Sequence, residues 1–307
     1  MIDILLASYN GEKYIAEQID SILNQTYKDW FLYIKDDCST DNTLNIIRNY
    51  EKSYKDKIKV ITSEIKSGSA KDNFFSMLKY SENEYIMTCD QDDVWLPDKI
   101  EITLNKMQEV EQADNNVPIL VHTDLKVVDE KLNIIAESLM KMQNLDFRRD
   151  KLNNLLVQNI VTGCTVMVNR KLLNYIKLVP RQAIMHDWWM ALLASALGIV
   201  YFIDTPTVLY RQHKNNDVGA KNVKSTDYIL RKLRNLNSVK DTINDTYIQA
   251  AELLNAIGDE ADSRNNELIK QYSLFLKINK YQRIKRIIKY QYWKNGIIRV
   301  VGQVFIC

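Results

Sequence analysis

Glycine is scarce, with 8 in 307 residues, and both glycine fingerprints of phosphate cradles, G-x-G-x-x-G and G-x-x-x-x-G-K-[ST], are absent. That excludes a dinucleotide-binding Rossmann unit and a P-loop, so any bound phosphate must be held through a metal and side chains. Cysteine is equally sparse. Cys38, Cys89, Cys164 and Cys307 lie far apart with no C-x-x-C pair, which suggests neither a zinc site nor a disulfide framework and fits a reducing, cytoplasmic setting. No run reaches the roughly 18 apolar residues of a spanning helix. Met1-Ile2-Asp3 leads straight into a strand-like run without a cationic leader, so secretion is not expected. The net charge of +2 is too small to imply a nucleic-acid partner. Repeats and low-complexity tracts are missing, and 46% hydrophobic with 26% charged residues is an ordinary globular profile.

What is present centres on Tyr85 to Trp95, Y-I-M-T-C-D-Q-D-D-V-W. A short apolar run delivers Asp90, Asp92 and Asp93 to its end, and Pro97-Asp98-Lys99 restarts the chain as a helix. Carboxylates clustered at the end of a buried strand are costly unless something positive neutralises them. Oxygen ligands at this spacing suit a hard divalent cation, Mg2+ or Mn2+, with open positions for phosphate oxygens. An Asp-rich turn capping the next helix is the plain alternative.

The preceding chain alternates strands and helices. Ile2 to Ala7 is a buried strand ending in Ser8-Tyr9-Asn10-Gly11, and Glu12 to Asn24 has helical spacing. Trp30 to Ile34 reads as a strand stopping at Asp36-Asp37-Cys38-Ser39-Thr40-Asp41, followed by a helix to Lys52. Ile58 to Ile61 and Ala70 to Tyr80 give a third strand and helix. Such alternation specifies an α/β fold with a mainly parallel sheet flanked by helices, whose ligands bind beyond the carboxyl ends of the strands. Tyr9, Asp37 and Asp90 to Asp93 all fall on that edge.

Three of these stretches, L-L-A-S-Y-N-G-E-K-Y-I-A-E-Q-I-D-S-I-L-N-Q-T, I-K-D-D-C-S-T-D-N-T and D-Q-D-D-V-W, resemble the family 2 glycosyltransferases with the GT-A fold. The resemblance continues through T-G-C-T-V-M-V-N-R, M-H-D-W-W and Y-R-Q-H and covers roughly residues 1 to 220. L-V-H-T-D-L-K-V-V-D, M-H-D-W-W-M-A-L-L-A-S-A-L-G and L-Y-R-Q-H are similar to rhamnosyltransferases of Gram-positive cell-wall and capsular polysaccharide assembly. The resemblance implies that Ala7 and Tyr9 line a nucleotide pocket and that Asp37 accepts a hydrogen bond from a uracil or thymine ring. It puts Asp90 and Gln91 near ribose and diphosphate, Asp92 as the main metal ligand with Asp93 beside it, and Lys71 facing the sugar nucleotide. His213 would contact metal or diphosphate, and Arg211 could neutralise leaving-group charge. Cys38 stands where a glycine is more usual.

Sugar transfer from a nucleotide diphosphate needs a leaving-group stabiliser and a base for the acceptor hydroxyl. The candidate base is Asp187, between His186 and Trp188-Trp189 at the start of an apolar helix running through Leu197. Direct attack inverts the anomeric centre without a covalent intermediate. A first-turn helix acid is the alternative for Asp187. Trp188 could stack on an acceptor sugar or pack in a core, and Gly163 could let the backbone approach the acceptor or relieve a turn.

Beyond residue 220 the chain reads as a helical appendage, 221–307, with long helical patterns from Ser225 to Ala256. After Glu267 there is no acid, while Lys270, Lys277, Lys280, Arg283, Lys285, Arg286, Lys289, Lys294 and Arg299 recur among Phe275, Ile278, Ile284, Ile287, Ile288, Tyr290, Tyr292 and Trp293. Basic residues interleaved with large apolar ones fit an anionic membrane surface, a solvated helix or a homodimer contact. The sequence therefore points to an inverting, metal-dependent glycosyltransferase, peripheral on the inner face of the plasma membrane. Its donor would be a pyrimidine sugar nucleotide, dTDP-L-rhamnose by the narrower resemblance, and its acceptor a lipid-linked glycan. A sugar-nucleotide pyrophosphorylase lacks support, because its glycine-rich first loop is missing, and a silent nucleotide-sugar-binding protein is the reading from another class.

Overall fold

Strands buried on both faces need near-continuous apolar runs, and the first strand, β1 (Ile2–Ser8), has one, with only Ala7 not fully buried. In the computed structural model, which describes residues 1–114, 116–176, 180–214, 216, 219–220 and 235–306, the chain folds as two compact units that alternate along the sequence. The first comprises residues 1–139, 162–179 and 201–219, and the second 140–161, 180–200 and 220–307.

In the first unit, β1 is followed by α1 (Ile15–Leu23), β2 (Trp30–Asp36), α2 (Thr43–Ser53), β3 (Ile58–Ile61), α3 (Ala70–Met77) and β4 (Tyr85–Asp90). Then come β5 (Val94–Trp95), α4 (Lys99–Ala113), β6 (Ile119–Val128) and β7 (Ile134–Ala136). The chain continues through α5 (Leu139–Met142), α6 (Leu152–Leu155), β8 (Val166–Asn169), α7 (Arg170–Leu173), α8 (His186–Leu197) and β9 (Ile199–Arg211). The strands form one sheet in the order β3-β2-β1-β4-β8-β6-β9-β5, with β7 paired to β6. The half expected from the βαβ pattern, β3 to β4, is parallel. From β8 onward the pairings with β4 and β6 are antiparallel, as is β5 with β9. Register fixes the functional edge: Ala7 pairs with Lys35 on one side and Asp90 on the other.

The second unit is helical. It contains α6 and α8 and ends with α9 (Leu236–Ile257), α10 (Ser263–Ser273), α11 (Lys280–Tyr290) and α12 (Ile297–Ile306). Residues 225–234 of the expected long helix lie outside the described residues. Tyr247, Tyr272, Phe275 and Tyr292 form a buried aromatic cluster with neighbouring ring centroids 4.9–5.8 Å apart. The Tyr272 hydroxyl meets Thr246, and that of Tyr292 donates to the Leu268 carbonyl. Phe275, Ile287 and Tyr292, which the basic-aromatic interleaving suggested as surface groups, are therefore core. Helical spacing alone does not say which apolar face is covered.

Candidate active site

The β1–α1 turn and the end of β4 are clamped by one amide. Gln91 Oε1 accepts the Tyr9 N–H at 2.9 Å, and Gln91 Nε2 donates to the Tyr9 carbonyl at 2.9 Å. Gly11 is required here, since a Cβ at that position would lie 2.2 Å from Gln91 Oε1. Asn10 (φ 48°) donates its N–H to Ser39 Oγ, and its side-chain oxygen accepts from the Thr40 N–H. Tyr9 is exposed, with the Lys66 ammonium 3.8 Å from its ring centre.

Asp37 is buried just past β2. Its N–H donates to the Ser8 carbonyl, and its carboxylate accepts the N–H groups of Ser67 and Gly68. It thereby ties the β2 end to the loop that precedes α3. Cys38 adopts φ 61°, a backbone conformation that glycine takes more easily, which accounts for the departure noted in the sequence. The Cys38 thiol donates to the Ser63 carbonyl. Lys71, in the first turn of α3, lies 3.9 Å from Asp72.

The D-Q-D-D turn is held by the end of β9, 118 residues or more away along the chain. Asp93 is fully buried. One oxygen accepts the Arg211 N–H at 3.0 Å, and the other, near the Cys164 thiol, has no hydrogen-bond partner by geometry among the described residues. Burial pushes the Asp93 carboxyl well above the usual carboxylate range, and the charges of Asp92 and Asp90 push it further. Arg211, also buried, donates from Nε to the Asp92 carbonyl, from Nη1 to the Glu130 carbonyl and from Nη2 to the Glu17 carboxylate. Its guanidinium stacks on Tyr14 at 4.6 Å. Every nitrogen of the Arg211 head group is engaged, with Nε on the turn itself and the other two tying it to Glu130 and Glu17. His213 Nε2 reaches Asp92 Oδ2 at 2.7 Å, and its ring stacks on Tyr14, 5.0 Å between centroids.

The donor set fits a hard divalent cation. Ligating atoms of Asp90, Asp93 and Cys164 fall within 4.8 Å of one another, and Asp93 retains its unpartnered buried oxygen. Burial pushes both the Cys164 thiol and the Asp93 carboxyl well above their ordinary ranges, so a cation bound here would have to displace those protons; Asp92 and His213, joined to each other, do not belong to this group. The Lys99 ammonium is fully buried, 4.7 Å from the Trp95 ring centre and without a hydrogen-bond partner among the described residues. Burial brings it down to about 8, against the attraction of Cys164, Cys89 and Asp93.

Gly163 is buried near the end of β4, and its carbonyl accepts from Thr88 Oγ1 at 2.6 Å. Asp187 belongs to the second unit, in the first turn of α8, where its Oδ1 accepts from the Trp188 N–H and from Asn159 Nδ2. Trp188 and Trp189 are both buried, and the Trp188 indole donates to the Leu155 carbonyl at 2.7 Å, a core arrangement. His186 is buried and brought down to about 3 by desolvation, so its ring is neutral at pH 7. The D-Q-D-D turn thus carries two hydrogen-bonded groups in the first unit, Gln91 with Tyr9, and Asp92 and Asp93 with Arg211 and His213. Sequence reading missed Tyr14, Glu17, Glu130 and Lys99. An aromatic residue one turn before an acid in N-G-E-K-Y-I-A-E was the available signal for the first two, and Glu130 and Lys99 had none.

The glycosyl transferase family 2 model matches residues 3–176. The chain is 33% identical over 228 residues to the dTDP-rhamnosyl transferase RfbG of Shigella flexneri, covering 70% of this chain and 74% of that protein. Among solved structures it resembles TarS 1–349 of S. aureus in complex with UDP-GlcNAc, with a TM-score of 0.57 and 19% identity over 94% of this chain and 80% of that one. It also resembles the mannosyltransferase PcManGT of Pyrobaculum calidifontis in complex with GDP-Man and Mn2+, at TM-score 0.56 and 13% identity over 99% of this chain and 84% of that one. These likenesses give the GT-A fold, and with the family match and the rhamnosyl transferase relative they show that the chain belongs to glycosyl transferase family 2.

Proposed function

We propose that this protein is an inverting, metal-dependent rhamnosyltransferase that uses dTDP-L-rhamnose to extend a lipid-linked glycan for cell-wall or capsular polysaccharide. The observation that carries the reading is the joining of Asp92 to His213, one residue along the chain from the Gln91 that clamps Tyr9. That places carboxylate, imidazole and an exposed aromatic ring at the carboxyl edge of the sheet, where open α/β sheets take their ligands. The choice of rhamnose rests on the rhamnosyl transferase relative.

In this reading Tyr9 and Ala7 line the base pocket, Asp37 accepts from the N3–H of thymine, and Asp90 and Gln91 sit near ribose and diphosphate. Lys71 faces the sugar nucleotide. Asp92 and His213 would hold Mg2+ or Mn2+ with Asp93 beside them, and a bound cation would offset the charge growing on the departing diphosphate. The Mn2+ of the mannosyltransferase structure supports a metal, and of the residues named here only Asp93 belongs to the group of ligating atoms that the fold brings together with Asp90 and Cys164. Arg211 contributes by fixing Asp92 through its carbonyl. Asp187 takes the proton from the acceptor hydroxyl as that oxygen attacks the anomeric carbon from the face opposite the leaving group, and Asn159 orients its carboxylate. Gly163 is kept for the acceptor, while Trp188, buried with its indole donating to the Leu155 carbonyl, packs in the core of its own unit. Catalysis is assigned to residues 1–220. The helices of 221–307 serve the inner face of the plasma membrane, with a homodimer as their other possible use.

A UDP-hexose donor is the second reading, favoured by the UDP-GlcNAc complex of the TarS neighbour and by an Asp37 that suits uracil as well as thymine. The purified protein, offered a panel of nucleotide sugars with and without Mn2+ or Mg2+ and a synthetic lipid-linked acceptor, decides by product mass. A gain of one deoxyhexose from dTDP-rhamnose alone, lost in Asp187→Ala, is expected. A gain from a UDP-hexose instead moves the donor. Nucleotide binding without transfer from any donor overturns the enzyme assignment in favour of a silent binding protein.

A further inference from the structure

The last helix is amphipathic in the wrong sense for a solvated helix. At about 100° per residue, Ile297, Ile298, Val301 and Phe305 fall within one arc of α12, and they are 83%, 58%, 62% and 72% exposed. The polar residues face inward. Arg299 donates to the carbonyls of Gln143 and Asn144, and the buried Gln303 donates to the Tyr292 carbonyl and accepts from the Lys294 N–H. A helix on a water-facing surface turns its apolar stripe to the core and its charges out. Here the stripe has been fixed outward by hydrogen bonds on the opposite side.

The adjoining helix supplies charge. Tyr281 and Ile288 of α11 are exposed, beside exposed Lys280, Lys285 and Lys289. Lys280 Nζ donates to the Phe305 carbonyl at 2.7 Å, joining the two helices, and Lys285 lies 4.5 Å from the Tyr281 ring centre. From residue 268 to the end the sequence contains no acid to neutralise this face.

We propose that the outward face of α12 and the lysines of α11 form an in-plane anchor for an anionic phospholipid surface. Such a surface offers both things this face lacks, an apolar layer for four large side chains and negative charge for the lysines. A second copy of the chain would bring the same cations against themselves across a two-fold interface and supply no acid. No described helix is long and apolar enough to cross a membrane, and ten residues of α12 span only about 15 Å, so it lies on the surface. The proposal gives molecular form to the membrane-side acceptor suggested above and rests on that reading only for its purpose.

The test is co-sedimentation of the full chain with phosphatidylcholine vesicles, with and without phosphatidylglycerol, alongside sedimentation velocity without lipid. Binding only to the phosphatidylglycerol vesicles, weakening with salt, is expected. The pair Val301→Glu with Phe305→Glu and the pair Lys285→Glu with Lys289→Glu should each weaken binding about tenfold or more, while Ile65→Glu, at a residue 81% exposed in the other unit, leaves it unchanged. Circular dichroism checks that each variant is folded. Wild-type protein that ignores anionic vesicles, or a Val301→Glu, Phe305→Glu variant that binds like wild type, overturns the anchor. So does a wild-type dimer that this variant dissociates without any vesicle binding. Turnover on a water-soluble acceptor is read separately: lost vesicle binding with intact turnover sinks the anchor alone, and intact vesicle binding without turnover sinks the transferase reading alone.

Discussion

His213 Nε2 sits 2.7 Å from Asp92 Oδ2, so a residue just past β9 completes the D-Q-D-D turn after β4. The imidazole is fixed by its stack on Tyr14, which also carries the Arg211 guanidinium. Two preset donors bind a cation more tightly than one because less ordering remains to be done on binding. His213→Ala is therefore expected to weaken Mn2+ binding at least tenfold in the presence of a nucleoside diphosphate, and Asp92→Asn to weaken it further and to lower turnover. Isothermal titration with Mn2+ checks both. Unchanged Mn2+ affinity in both variants would remove these residues from the metal site.

Gly11 and Gln91 make a coupled pair. A methyl at Gly11 would collide with the Gln91 amide, 2.2 Å from Oε1 and 2.6 Å from Cδ. The amide can swing away only by giving up both hydrogen bonds to Tyr9, a loss of about 1 kcal/mol for each bond. Gly11→Ala and Gln91→Ala should therefore each weaken nucleotide binding by about tenfold. The double variant should be no worse than Gly11→Ala alone, since the collision has been removed. Additive losses in a nucleotide titration would mean that Gly11 acts through something other than Gln91.

Asp187 offers a separation of binding from chemistry. Asn in its place keeps the size and an oxygen that can accept the Trp188 N–H, yet cannot take a proton. Asp187→Asn should lower kcat by about 10²–10⁴ with nucleotide affinity unchanged. Asp187→Ala should also lose about 1 kcal/mol of stability as the helix start loses its acceptor. Turnover of Asp187→Asn near wild type in a single-turnover assay would send the base assignment elsewhere.

Much of the first unit was legible in the sequence because its signals are local. Strands β1, β2 and β4 are mostly apolar runs, broken in β1 by the buried Asp3, and each ends in polar residues that the parallel register must bring to one edge. Even the oddity of Cys38 resolved into a positive φ. The antiparallel half was not legible, since pairing β4 with β8 and β9 with β5 joins segments that share no period or turn. The role of Arg211 was lost for the same reason: a charge near a diphosphate motif looks free until Glu17 and the Glu130 and Asp92 carbonyls are found around it. In the second unit the basic and aromatic residues alternate along the sequence. Which of them point outward depends on the Tyr247–Tyr272–Phe275–Tyr292 cluster, which no local spacing reveals.

His122, in the middle of β6, gives the pH dependence a definite sign. It is fully buried against Phe202, and neither ring nitrogen has a hydrogen-bond partner among the described residues. Desolvation brings it down to about 3 from an ordinary 6.5. Above pH 6.5 the folded and unfolded chains both carry neutral imidazole, and His122 adds no pH dependence. Between pH 6.5 and 3 the unfolded chain takes up a proton that the folded chain refuses, so stability falls as pH falls, by up to about 1.4 kcal/mol per pH unit. His122→Leu removes that slope together with two unpartnered polar atoms, and should stabilise by about 1 kcal/mol at pH 7.5. By pH 5 the advantage over wild type should have grown by about 2 kcal/mol. His186, in the other unit, continues to titrate in both proteins and keeps some acid lability in the variant. Urea unfolding at pH 7.5, 6 and 5 checks this: curves that diverge towards acid support a neutral, buried His122, and a constant gap between variant and wild type shows that the imidazole finds a proton without unfolding.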